Sequence, residues 1–161
     1  MESYIRWAIE YYEKALRAKT SAKILWDSRS IHRKDWLVLK KFFKEYPIKT
    51  VLEYGCGLST ELMVLEGLKV KSLETIEYWA DTCRKVIGNE IIFYKEGDLP
   101  HIEGMFDIAF VDGPKTKRTK SILHAMEHSN IIYLHDLRPT EVALLDNWKI
   151  IEKYGNHFYE K

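Results

Sequence analysis

Apolar residues fall into two regimes along the chain. Up to Pro47 they recur at intervals of three and four. Ile5, Ala8, Ile9, Tyr12, Ala15 and Leu16 predict an amphipathic helix over the first sixteen or so residues. Trp36, Leu37, Leu39, Phe42, Phe43 and Tyr46 predict a second helix with an aromatic face, which Pro47 ends. Thr20 to His32, between them, is a polar and basic connector, either a substrate lid or a linker. Beyond Pro47 short apolar runs alternate with helical stretches, the pattern of βαβ units around a mainly parallel sheet. Strands are expected at Thr50–Tyr54, Val70–Ile76, Glu90–Tyr94, Phe106–Val111 and Asn130–Leu134, and helices near Ser59–Glu66, Trp79–Ile87, Arg118–Glu127 and Pro139–Asp146. The tail, Trp148–Tyr154 and His157–Glu160 around Gly155-Asn156, reads as a hairpin and brings the expected strands to seven.

The 161 residues, 46% of them hydrophobic, suffice for one compact domain. Residues 1–47 are expected as a helical, basic extension and 48–161 as the α/β core, a doubly wound, mostly parallel seven-stranded sheet with helices on both faces. There is no apolar run of membrane-spanning length. Glu2, Arg6 and Glu10 interrupt the N-terminus, unlike a signal peptide, so the expectation is a cytoplasmic protein without a membrane partner. The two cysteines, Cys56 and Cys83, form no CxxC and read as reduced and structural. Net charge is only +1, yet from Glu13 to Glu45 ten basic residues face four acids. A basic arm on an otherwise acidic body fits an anionic substrate or nucleic acid, and equally a solvated helix face. The absence of Gln and the wealth of Lys, Glu and Ile match a thermophilic source or a biased genome.

Candidate chemistry begins at Val51-Leu52-Glu53-Tyr54-Gly55-Cys56-Gly57-Leu58-Ser59-Thr60. An apolar strand end runs into a glycine turn with close backbone approach, and Ser59 or Thr60 is placed to cap the next helix. Glu53 would repel a pyrophosphate at that helix N-terminus and attract a cationic ligand. This stretch resembles motif I of the class I S-adenosylmethionine-dependent methyltransferases, whose cofactor carries an ammonium and a sulfonium but no phosphate. The resemblance implies a Rossmann-like fold of five parallel strands with a terminal antiparallel pair. It also implies cofactor contacts from Glu53, Gly55, Cys56, Gly57, Ser59 and Thr60.

Ligands in a doubly wound sheet bind at the carboxyl ends of the strands. Glu77, twenty residues beyond Gly57, is placed to accept hydrogen bonds from ribose hydroxyls, or is simply an acid at a helix start. It matches the family's motif II acid, and Asp98 matches the residue that contacts the adenine amino group, although Gly97-Asp98 is also ordinary turn chemistry. Phe106 to Arg118, containing Phe110-Val111-Asp112-Gly113-Pro114, resembles the fourth strand of methyltransferases acting on oxygen in small molecules or sugars. Ile131 to Arg138 resembles their fifth strand, ending in His135-Asp136. The first fifty residues lie outside this resemblance.

Transfer to a hydroxyl needs an in-line methyl and a base, for which Asp112, His135 and Asp136 are candidates. Asp112 and Asp136 resemble the paired acids that hold a divalent cation such as Mg²⁺ in catechol-type O-methyltransferases, but Leu137 stands where those enzymes place Asn. Lys115, Lys117, Arg118 and Lys120 crowd the loop after Asp112 and, with Arg138, suit a phosphate, carboxylate or uronate on the acceptor. His124 and His128, one helical turn apart, read as surface residues or a metal pair, and the Trp36/Phe42/Phe43 and Tyr4/Trp7/Tyr11/Tyr12 clusters as core or stacking platforms. The expected function is methyl transfer to oxygen of an anionic small molecule, sugar or nucleic acid. The alternatives are an NAD(P)-dependent enzyme, disfavoured by the missing third glycine of G-x-G-x-x-G, and a non-catalytic cofactor- or nucleic-acid-binding module. A short terminal strand would leave an edge that a second copy can cover, so a homodimer is a further expectation.

Overall fold

The computed structural model describes residues 31–113, 116–136, 138–151 and 157–161. The expected first helix, most of the Thr20–His32 connector and the turn of the tail hairpin lie outside the described residues. Helix α1 (Arg33–Glu45) buries Trp36, Leu39 and Phe42, spaced three apart so that they share one face. The Phe42 ring stacks on Tyr46 at 4.2 Å and on Phe158 at 4.3 Å. Burying such a ring contributes about 2–3 kcal/mol and pins α1 to the end of the chain.

Seven strands are present among the described residues: β1 (Thr50–Tyr54), β2 (Lys69–Glu74), β3 (Glu90–Phe93), β4 (Ile108–Val111), β5 (Ile131–Leu134), β6 (Lys149–Ile150) and β7 (Phe158–Glu160). Between them lie α2 (Leu58–Leu65), α3 (Glu77–Ile87), α4 (Arg118–His128) and a short α5 (Pro139–Val142) that tightens into a 3₁₀ turn at Ala143–Leu145. Their order in the sheet is β3-β2-β1-β4-β5-β7-β6, parallel through β5, with β7 antiparallel to both β5 and β6. Strands β4 and β5 are buried at every position, which is why they read as unbroken apolar runs with no alternation. The fourth strand begins at Ile108, since Phe106 makes only an isolated bridge to Ser129.

Alternate side chains divide the core between the two faces. Val51, Met63, Ile108, Phe110 and Phe158 pack with α1 and α2 on one side. Leu52, Tyr54, Ala109, Val111, Ile122 and Leu134 pack on the other. The register fixes the site: Tyr54 pairs with Leu73 and with Val111, and Val111 pairs with Leu134. The next residue on each strand therefore falls in one row across the carboxyl edge: Glu74, Gly55, Asp112 and His135.

Candidate active site

At the tip of β1 the chain turns on Gly55, whose φ of +93° is rarely open to other residues and whose added Cβ would lie 3.3 Å from the Gly113 nitrogen. Tyr54 closes the approach, its carbonyl accepting the Asp112 and Gly113 N–H groups at 3.1 and 2.8 Å. The glycine turn is thus bound directly to the end of β4. Gly57 is different: its backbone is extended, and an added Cβ would meet only Trp79 Cζ2, at 3.9 Å, which leaves space above the turn. The indole of Trp79 borders that space and donates from Nε1 to the Cys56 carbonyl at 2.7 Å.

Glu53 is fully buried beneath this turn. Ser59 Oγ donates to one carboxylate oxygen at 2.6 Å, while Thr60 Oγ1 and Ser72 Oγ donate to the other at 2.5 and 2.6 Å. Ser72 is its lateral partner on β2. Thr60 Oγ1 also accepts the Gly57 N–H at 2.9 Å, tying turn and helix start to the same acid. Desolvation pushes the Glu53 carboxyl up to about 7, against the pull of the three hydroxyl donors. The hydroxyls of Ser59 and Thr60 thus face inward to Glu53, and Glu53 itself is removed from any ligand surface.

Strand β2 ends two residues before the pattern placed its end, so the acid at its tip is Glu74. Its carboxylate accepts the N–H groups of Cys56, Thr75 and Ile76 at 3.1, 2.7 and 3.0 Å. Glu77 is instead the first residue of α3 and exposed. Sequence reasoning missed Glu74 because Ile76 continued the apolar pattern past it. Cys56 lies buried in one small cluster with Cys83, and their contact, with burial, raises the Cys56 thiol pKa.

On the other side of the glycine turn His135, 8% exposed, places Nδ1 3.0 Å from Asp112 Oδ1. Its Nε2 is buried without a hydrogen-bond partner among the described residues and faces Asp35 Oδ2 at 3.8 Å, while Asp136 Oδ2 lies 3.9 Å from Nδ1. Burial by itself lowers the imidazole pKa, but the hydrogen bond and charge of Asp112, with Asp136 and Asp35, outweigh it and the net shift is upward. His135 therefore holds its proton further into the neutral range than a free histidine. Asp112, 40% exposed, is the member of the pair open to a reactant. Asp136 has a left-handed backbone, φ 52°, and its side chain is exposed. Ligand atoms of Asp112, His135 and Asp136 all lie within 4.8 Å of one another. Asp35 carried no sequence signal, since it reaches the site from the first turn of α1.

The basic residues read as an anion grip separate. Arg118 is 3% exposed: its guanidinium donates to the carbonyls of Val111 at 2.9 Å and of His135, and pairs with buried Glu141 at 3.4 Å. It joins the ends of β4 and β5 from below, a correction to its expected place on the acceptor. Lys117 and Lys120 donate to the carbonyls of Glu96 and Gly97 at 3.2 and 3.1 Å. Lys115 lies outside the described residues. Arg138 stays half exposed, 3.9 Å from Glu141 Oε1. Asp98 sits exposed in the turn after β3, its N–H on the Lys95 carbonyl at 2.9 Å. His124 Nδ1 lies 2.7 Å from the hydroxyl of Tyr54, so one member of the histidine pair is tied to the core.

A parallel sheet of this strand order, closed by an antiparallel hairpin, is the class I S-adenosylmethionine-dependent methyltransferase fold, and solved structures agree. The chain is similar to a TehB-like SAM-dependent methyltransferase from Corynebacterium glutamicum (TM-score 0.62, 10% identity, covering 99% of this chain and 97% of that one). It is also similar to the 16S rRNA methylase ArmA (0.60, 13%, 95% and 95%) and to a point mutant of MtNAS in complex with S-adenosylmethionine (0.61, 16%, 94% and 70%). Other matched chains are longer: this one spans 57% of a Thermoplasma acidophilum protein and 44% of the plantazolicin methyltransferase BpumL. No family model and no curated protein sequence matches the chain. No helix among the described residues is long and apolar enough to cross a membrane.

Proposed function

We propose that the protein transfers the methyl group of S-adenosylmethionine to a hydroxyl. The observation that carries this reading is the single row of Glu74, Gly55, Asp112 and His135, which sets an acid suited to ribose, a glycine turn and a general base side by side. The residues fit the cofactor: open space over Gly57 beside Trp79 receives it, and Gly55, Cys56 and Gly57 allow close backbone approach. Glu74, 7% exposed at the tip of β2 in the row with Gly55, is assigned to the ribose hydroxyls in place of Glu77, and Asp98 to the adenine. Glu53, Ser59 and Thr60 act indirectly by fixing the turn. S-adenosylmethionine, when bound, would supply an electrophilic methyl carried on a sulfonium, which transfer to the acceptor oxygen would leave as a neutral thioether. Asp112 takes the hydroxyl proton, and His135 orients it through the 3.0 Å contact.

The acceptor classes read from the sequence, a small molecule, a sugar or a nucleic acid, all offer such a hydroxyl. An anionic handle would now rest on Arg138 and on Lys34, exposed on the first turn of α1, because Arg118 is buried. Asp112 and Asp136, whose carboxylate oxygens lie within 4.8 Å of one another, would be the residues to hold a hard divalent cation, which would acidify an acceptor hydroxyl. The test is incubation with tritium-labelled S-adenosylmethionine and catechol, glucuronate or a mixed oligoribonucleotide as acceptors. Transfer that Asp112→Ala abolishes while S-adenosylhomocysteine still binds supports the reading. Binding of that ligand with no transfer to any acceptor favours the non-catalytic module.

A further inference from the structure

We propose that Lys117 and Lys120 are positioning residues for the cofactor's adenine side, through the loop after β3, and are not grips for the acceptor. The inference rests on the methyltransferase reading above and assigns these lysines to a different part of that site. The loop 95–98 follows β3 and carries Asp98, and its own structure is slight: one turn closed by the Asp98 N–H on the Lys95 carbonyl. Among the described residues, the side-chain hydrogen bonds that fasten it come from residues 116–120, at the start of α4. Lys117 Nζ donates to the Glu96 carbonyl at 3.2 Å, Lys120 Nζ donates to the Gly97 carbonyl at 3.1 Å, and the Thr116 hydroxyl donates to the Glu96 carboxylate.

Gly97 shows how closely the parts fit. Its φ is +101°, and a Cβ added there would fall 2.8 Å from Lys117 Nζ. The positive φ favours glycine, and a side chain at 97 would push the flexible end of Lys117 off its place on the loop. Two ammonium groups on consecutive carbonyls fix the backbone of the turn that carries the exposed Asp98.

The test is calorimetric titration with S-adenosylhomocysteine and with 5′-methylthioadenosine, which keeps the adenosine and lacks the amino acid end. Wild type is compared with the double substitution Lys117→Met/Lys120→Met, with Lys117→Arg/Lys120→Arg and with Gly97→Ala. Both ligands should weaken by about 3- to 10-fold in the Met double variant, the range for two exposed charge-assisted hydrogen bonds. Arginine should recover most of the loss, Gly97→Ala should reproduce it, and the melting temperature should stay within about 2 °C in the lysine variants. Wild-type binding with Met-variant affinities inside twofold overturns the proposal and leaves the cofactor reading intact. A wild type that binds neither ligand overturns the cofactor reading, and the proposal with it.

Discussion

Replacing Glu53 by Gln perturbs the centre of the glycine turn without altering its volume. Glu53 is fully buried, and its carboxyl is raised from 4.5 to about 7. An acid raised on folding favours the folded state in its protonated form, so its contribution is complete below 4.5 and is lost as pH rises through about 7. The difference between those two values corresponds to about 3 kcal/mol, of which about 2 kcal/mol falls between about pH 5.5 and 8.5. The glutamine variant is neutral throughout, and the hydroxyls of Ser59, Thr60 and Ser72 can rotate to accept from its amide as well as donate to its oxygen. Urea unfolding of both proteins at about pH 5.5 and 8.5 measures the difference. Wild type should lose about 2 kcal/mol more than Glu53→Gln across that interval, with His135 titrating alike in both and cancelling. Parallel pH profiles within about 0.5 kcal/mol would show that burial does not govern Glu53, and the reasoning would be wrong.

Other perturbations separate stability from chemistry. Arg118→Met leaves Glu141 buried without its cation and takes a donor from the carbonyls of Val111, Asp112 and His135, of which Val111 keeps the His135 N–H; it should cost about 3 kcal/mol or more in thermal denaturation, and adding Glu141→Leu should recover part of it. Phe42→Ala should cost about 3–5 kcal/mol by opening the stack between Tyr46 and Phe158, read as a lower urea midpoint. Gly55→Ala forces a side chain into positive φ and against Gly113, and should abolish S-adenosylhomocysteine binding in calorimetry while costing about 1–3 kcal/mol of stability. His135→Asn should leave that binding within about twofold yet slow transfer about 100-fold or more, seen in the tritium assay.

Much of the fold was legible because its signals are local. Short apolar runs marked β1, β4 and β5 as strands of a mainly parallel sheet, and Pro47 marked the end of α1. Boundaries failed where neighbouring chemistry imitated a strand. Thr75 and Ile76 are a β-branched pair that extends the apolar pattern beyond Glu74, yet their N–H groups close onto that acid and end β2 there. The proximity of the glycine turn, Asp112 and His135 in the candidate site was legible, since the parallel register must bring them together once the strands are placed. The site was not legible where a charged side chain turns inward. Nothing in its neighbours distinguishes Arg118 from Lys117, but the first lies beneath two strand ends and the second reaches a loop 21 residues earlier in sequence. Asp35 faces His135 only through tertiary packing of α1, a relation no local pattern encodes.

Calorimetric titration with S-adenosylhomocysteine and NAD⁺ tests most directly whether the row at the carboxyl edge of the sheet is an adenosyl site. Micromolar binding of S-adenosylhomocysteine, lost by about tenfold or more in Glu74→Ala, changed less than about twofold in Glu77→Ala and absent for NAD⁺, is the predicted result. Binding of NAD⁺ alone, or S-adenosylhomocysteine affinity indifferent to Glu74, would contradict that reading.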